Sequence, residues 1–66
     1  MKITVNGEIK EFSDPLQITD LLKFLEIDKK PVVVELNKEA IFPRNFGKIT
    51  LNHGDRIEVI TIAAGG

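Results

Sequence analysis

Only one stretch of this chain spaces its apolar residues with the period of a helix. Ile18, Leu21, Leu22 and Leu25 fall at i, i+3, i+4 and i+7, with Asp20, Lys23 and Glu26 on the remaining surface. That pattern predicts an amphipathic helix of about two to three turns. Its start is weakly signalled, because Gln17 is a poor N-cap, although Asp20 in the first turn suits the helix dipole. Lys29-Lys30-Pro31 is expected to end it. A helical stripe of this kind is far more often core than binding groove, so it implies a sheet for the helix to cover.

The flanking segments supply that sheet. Lys2-Ile3-Thr4-Val5 alternates, and Asn6-Gly7 is the dipeptide that most favours a two-residue type I′ turn. The returning segment Glu8 to Phe12 is polar apart from Ile9 and Phe12, which suits an edge strand protected by charge. Ser13-Asp14-Pro15 breaks it. After the helix, Val32 to Leu36 is a β-branched run with Val32, Val34 and Leu36 on one side. Asn37-Lys38-Glu39 reads as a turn, and Ala40-Ile41-Phe42 as a short strand closed by Pro43. Arg44 to Gly47 reads as a loop or 3₁₀ turn with Phe46 inward, and Asn52-His53-Gly54-Asp55 as a turn. Arg56 to Ile62 is the longest strand, alternating first and then apolar on both faces, as in the middle of a sheet. The order is β-β-α-β-β-β, an α+β chain without repeats.

With 66 residues, a single core is the limit, since such a chain buries only about 60% of the surface it exposes when unfolded. It contains no cysteine, so disulfides, thiolate metal sites and a thiol nucleophile are all excluded. Nine Lys+Arg stand against ten Asp+Glu, which leaves no electrostatic footprint for nucleic acid or an anionic membrane. With neither a signal-like start nor an apolar run of spanning length, a cytoplasmic protein without membrane contact is expected.

Reactive groups are scarce. His53 is the sole histidine and sits in a turn, so it makes neither a metal site nor a catalytic one by itself. Asp55 and Glu58 form no evident acid/base pair, and Asp55 is expected to bond its own turn. Arg44 either orients a partner or pairs with a surface acid, the structural role being favoured. What remains is the terminal Gly65-Gly66. Without a Cβ it can run extended through a channel closed to other side chains and present its carboxylate as a substrate; a frayed end is the competing reading.

The Asn-Gly hairpin, the single helix, the Val-rich strand ending at Asn37, Phe42-Pro43-Arg44, the Gly54-Asp55 turn and the final Ala-Gly-Gly together resemble the ThiS family over the whole chain. This is a family of ubiquitin-like β-grasp sulfur carriers in thiamin thiazole biosynthesis. The resemblance implies one domain over 1–66, with a mixed sheet of four to five strands. The first and last strands run parallel at its centre, and one helix packs across one face. It further implies that a ThiF-like adenylating enzyme uses ATP and magnesium to join the Gly66 carboxylate to AMP. Sulfur from a persulfide donor then leaves a thiocarboxylate on Gly66 for a ThiG-like thiazole synthase. The chain is then a protein co-substrate with no catalytic residues, no metal and no bound cofactor of its own.

In that cycle residues 63–66 form a flexible tail. Ala63, Ala64 and Gly65 thread into partner active sites, and residues 63–66 together reach roughly 13 Å from the last strand when extended. Because ordering such a tail costs about 1–2 kcal/mol per residue, the folded body must supply most of the affinity. Phe42, Ile60 and Ile62 are candidates for that partner surface, or equally for core. Other readings stay open: a carrier related to the MoaD partner of molybdopterin synthase, one for tRNA thiolation or amino-acid sulfur, a ubiquitin-like modifier, or a β-grasp binding module that never reacts at its tail.

Overall fold

The computed structural model describes residues 1–62; the expected tail, Ala63, Ala64, Gly65 and Gly66, lies outside them. The elements in chain order are β1 (Lys2–Val5), β2 (Glu8–Glu11), α1 (Ile18–Phe24), β3 (Val32–Leu36), β4 (Glu39–Ile41), a 3₁₀ turn (Pro43–Asn45) and β5 (Arg56–Thr61). This is the α+β order expected. The five strands form one mixed sheet in the order β2-β1-β5-β3-β4. β1 and β5 run parallel with Thr4 opposite Arg56 and Val5 opposite Ile57, while the other three pairings are antiparallel. The first and last strands therefore meet inside the sheet, as the family resemblance implies.

One face carries the core. Ile3 and Val5 from β1, Val34 from β3, and Ile57 and Val59 from β5 are buried against Ile18, Leu21 and Leu22 of α1, with Leu16, Phe46 and Leu51 closing the sides. Each fully buried aliphatic side chain stabilises the fold by about 1.5–3 kcal/mol relative to exposure. Phe46 is buried, as its position after the 3₁₀ turn suggests. The helix entrance is tied to the segment before β5 by Ile18 N–H to the Ile49 carbonyl (3.2 Å) and Leu51 N–H to the Leu16 carbonyl (2.7 Å).

Local details depart from the expected boundaries. Asp20 compensates for the weak N-cap by accepting the Gln17 backbone N–H at 2.9 Å, the returning half of a capping box. The helix ends well before Lys29-Lys30-Pro31. Glu26 adopts φ +61°, its N–H reaching the Lys23 carbonyl and the Ile27 N–H the Leu22 carbonyl, both at 3.0 Å. This is a Schellman ending, with glutamate in the position glycine usually takes. The β3–β4 turn is two residues rather than three, because Lys38 (φ +70°) joins Asn37 (φ +50°) in the left-handed region. Glu39 thereby pairs with Leu36, and β4 begins one residue earlier than expected, leaving Phe42 beyond it. β2 ends at Glu11 and β5 at Thr61, each one residue short of expectation.

Candidate functional site

The most distinctive region lies on the face of the sheet away from α1, at the end of β5 that leads into residues 63–66. Alternation along β5 buries Ile57 and Val59 and turns Glu58 and Ile60 outward. Val33 stands opposite Ile60 across the β3–β5 ladder. Since Val34 pairs with Ile41, the next residue, Phe42, comes abreast of Val33. Phe42, Val33 and Ile60 thus make one row across the outer face, with Ile62 beside it. They are exposed by 62%, 47%, 62% and 51% respectively. Phe42, Ile60 and Ile62 therefore belong to the surface, and the core alternative falls away.

Val33 belongs to the same row but was not among the expected residues. The signal was available: if Val32, Val34 and Leu36 face inward, Val33 and Glu35 face out. Farther along the same face the character reverses. Glu35 stands directly opposite Glu58, and these two border an open polar cleft of about 640 Å³ with Asn37, Lys38 and Arg56. Like charges in direct cross-strand register repel, so this half of the face gains nothing from the pairing by itself.

Asn6 fixes where β1 stops accompanying β5. Its backbone N–H reaches the Ile57 carbonyl at 3.0 Å. Its side-chain amide then donates to the Val59 carbonyl (3.1 Å) and accepts the Val59 N–H (2.8 Å). One side chain thereby does the work of a further strand residue, made possible by the left-handed turn at Asn6 (φ +49°) and Gly7 (φ +84°). On the opposite flank the β3 ladder continues further, and the Ile62 N–H still bonds the Pro31 carbonyl at 2.9 Å.

The start of β5 is held by a different polar network. Asp55 accepts the Asn52 N–H at 2.7 Å and the Asn37 side-chain amide at 3.1 Å, while the Asn37 side-chain oxygen accepts the Arg56 N–H at 2.9 Å. Asp55 thus bonds its own turn, as expected, and also pins the β3–β4 turn. His53 accepts the Lys2 backbone N–H through Nδ1 at 2.9 Å, a structural tie between β1 and the turn before β5. Arg44 does not pair with an acid among the described residues; its guanidinium carbon lies 4.8 Å from the centre of the Phe42 ring, a cation–π contact that leaves the charge at the border of the apolar row. Among the described residues no group of three or more His, Cys, Asp or Glu is arranged to hold a metal ion. No described helix is long and apolar enough to cross a membrane.

Comparison with known proteins places these features in a family context. Residues 3–66 match the ThiS family. The chain is similar to a thiazole synthase of Paramagnetospirillum magneticum, 33% identical over 66 residues; all of this chain is covered but only 20% of that protein. It is 34% identical over 65 residues to the sulfur carrier protein ThiS of Bacillus subtilis, covering 97% of this chain and 98% of that one. A crystal structure of a thiamine biosynthesis protein (ThiS) from Geobacter metallireducens superposes with a TM-score of 0.84 at 33% identity, covering both chains completely.

Proposed function

Because the chain belongs to the ThiS family, we propose that it is a sulfur carrier of thiamin biosynthesis whose reacting group is the Gly66 carboxylate. A ThiF-like enzyme, using ATP and magnesium, joins that carboxylate to AMP and releases pyrophosphate. A persulfide sulfur attacks the acyl carbon and expels AMP, and cleavage of the resulting S–S bond by a thiol leaves the thiocarboxylate. A ThiG-like thiazole synthase then takes the sulfur. The chain contributes the carbonyl carbon and a docking body; the partners contribute the catalysis.

The observation that carries this reading is the joining of two features in one strand. β5 lies inside the sheet, and its end at Thr61, flanked by Ile60 and Ile62, leads within five residues to Gly66. A partner that draws the tail into its active site meets the row of Phe42, Val33 and Ile60 beside the tail's root. Ala63, Ala64 and Gly65 are small enough to follow a narrow channel. The similarity to one fifth of a thiazole synthase favours thiazole formation as the client, since a carrier-like segment and that synthase occur there in one protein.

Intact mass spectrometry tests the reading directly. The protein is incubated with its ThiF-like enzyme, ATP, magnesium and a sulfur source, then fragmented. Replacement of one oxygen by sulfur confined to Gly66, and lost without ATP, is the expected result. An unchanged mass with an enzyme shown to be active on another carrier overturns it.

A further inference from the structure

The two flanks of β5 are unequally used. Residues 56, 58, 60 and 62 direct their backbone groups towards β3, as the Asn37 N–H to Arg56 carbonyl and Ile62 N–H to Pro31 carbonyl bonds show. Residues 55, 57 and 59 direct theirs the other way, to Thr4, Asn6 and the Asn6 side chain. By the same alternation the N–H and C=O of Thr61 point to the β1 flank. There β1 has ended at Val5 and the chain has turned back at Asn6-Gly7. Among the described residues no strand stands beside Thr61 on that side.

We propose that this vacant flank is a docking edge for an extended backbone segment of the partner that receives the tail, which adds to the sheet as a strand beside Thr61. An unpaired strand edge is a template for such addition, with backbone bonds giving affinity and neighbouring pockets giving selectivity. Two observations set the occupant. The tail begins two residues further on, at Ala63, and spans roughly 13 Å from Ile62 to Gly66, so whatever encloses Gly66 lies close to this edge. Exposed Ile60 and Ile62 flank Thr61 on the outer face, giving an incoming strand apolar side chains to cover. Asn6 closes the edge at Val59, which fixes the register at which an added strand begins.

The inference rests on the carrier reading above, and one experiment separates the two. The parent, Thr61→Pro and Thr61→Val are compared as substrates of the ThiF-like enzyme by pyrophosphate release, with KM and kcat resolved. Proline deletes the Thr61 N–H, which the β3 ladder does not use, so the fold tolerates it; valine keeps the donor and the β-branched shape. The expected result is a KM at least about 10-fold higher for Thr61→Pro, comparable to the loss of a buried backbone bond, with Thr61→Val within about 2-fold of the parent and both melting cooperatively. An unchanged KM for Thr61→Pro, or an equal rise for Thr61→Val, overturns the docking edge while the carrier reading stands. So does a parent dimer that Thr61→Pro converts to monomer, because a second copy then occupies the flank. If Thr61→Pro fails to melt cooperatively, a synthetic chain with an ester in place of the Thr61 amide decides: a raised KM supports the edge and an unchanged one removes it. A parent that is not adenylated at all overturns the carrier reading and this inference together.

Discussion

The two ends of β5 are built on opposite principles. At its start, Arg56 and Ile57 are gripped from both sides, with β1 and β3 in register and the Asn37–Asp55–Asn52 network closing the turn. At its end, Ile60, Thr61 and Ile62 keep one neighbour, and Ile60 and Ile62 turn apolar side chains to the outside. One strand thus serves as structure at one end and as an offered surface at the other. The boundary between these uses is a single side chain, Asn6.

The most severe test of that contrast is a pair of truncations of isoleucine in the same strand. Ile57→Ala removes a completely buried side chain and is expected to cost about 3 kcal/mol in urea unfolding. Ile60→Ala, three residues on, changes stability by no more than about 0.5 kcal/mol. Equal costs at both sites break the comparison. Asn6→Ala is the next largest, at about 2 kcal/mol, because it removes two part-buried hydrogen bonds to Val59 and places alanine in the left-handed region. Asn6→Gly recovers the conformational share, and amide exchange at Val59 quickens in both. A Val59 amide that stays equally protected shows that Asn6 does not set the boundary.

A change of opposite sign sharpens the account of the anchored end. Lys38→Gly relieves a left-handed lysine and is expected to raise stability by about 0.5–1 kcal/mol, measured by thermal unfolding; a loss instead indicates that the lysine side chain supports the turn. Ile60→Ser, like Ile60→Ala, is expected to leave stability within about 0.5 kcal/mol of the parent. Its effect is expected in the partner, as a KM for adenylation raised several-fold at unchanged kcat, and an unchanged KM separates the apolar row from docking.

Much of this was legible because the informative residues act locally. The Asn6-Gly7 turn, the helical spacing from Ile18 and the alternation of β5 each follow from short-range geometry. The misplaced helix end and the β3–β4 turn share one cause, which is left-handed backbone at residues that seldom adopt it. Glu26 and Lys38 carry no compositional sign of a positive φ, so the helix read too long and the β3–β4 turn one residue too wide. For the candidate site, Ile60, Ile62 and Phe42 were visible as apolar residues, but whether they faced core or solvent depended on which face α1 covers. Val33 was legible from the same alternation, since Val32, Val34 and Leu36 on one side leave Val33 and Glu35 on the other, and which side is the outer face again depended on α1. The Asn6 bonds to Val59 span 53 residues of sequence, and no local pattern announces them.

The central pairing of β1 with β5 carries a consequence for how the molecule is made. The second strand of that pair is synthesised after the other four, so the sheet stays divided into two hairpins until residues 56–61 are available. Contacts that join distant parts of a chain must wait for the whole loop between them. A message cut short before β5 yields no body with a completed sheet, whereas a chain that has closed its sheet has been read to within five residues of Gly66. Closure of the sheet therefore requires that the chain has been read through β5, because neither hairpin supplies the central pairing by itself.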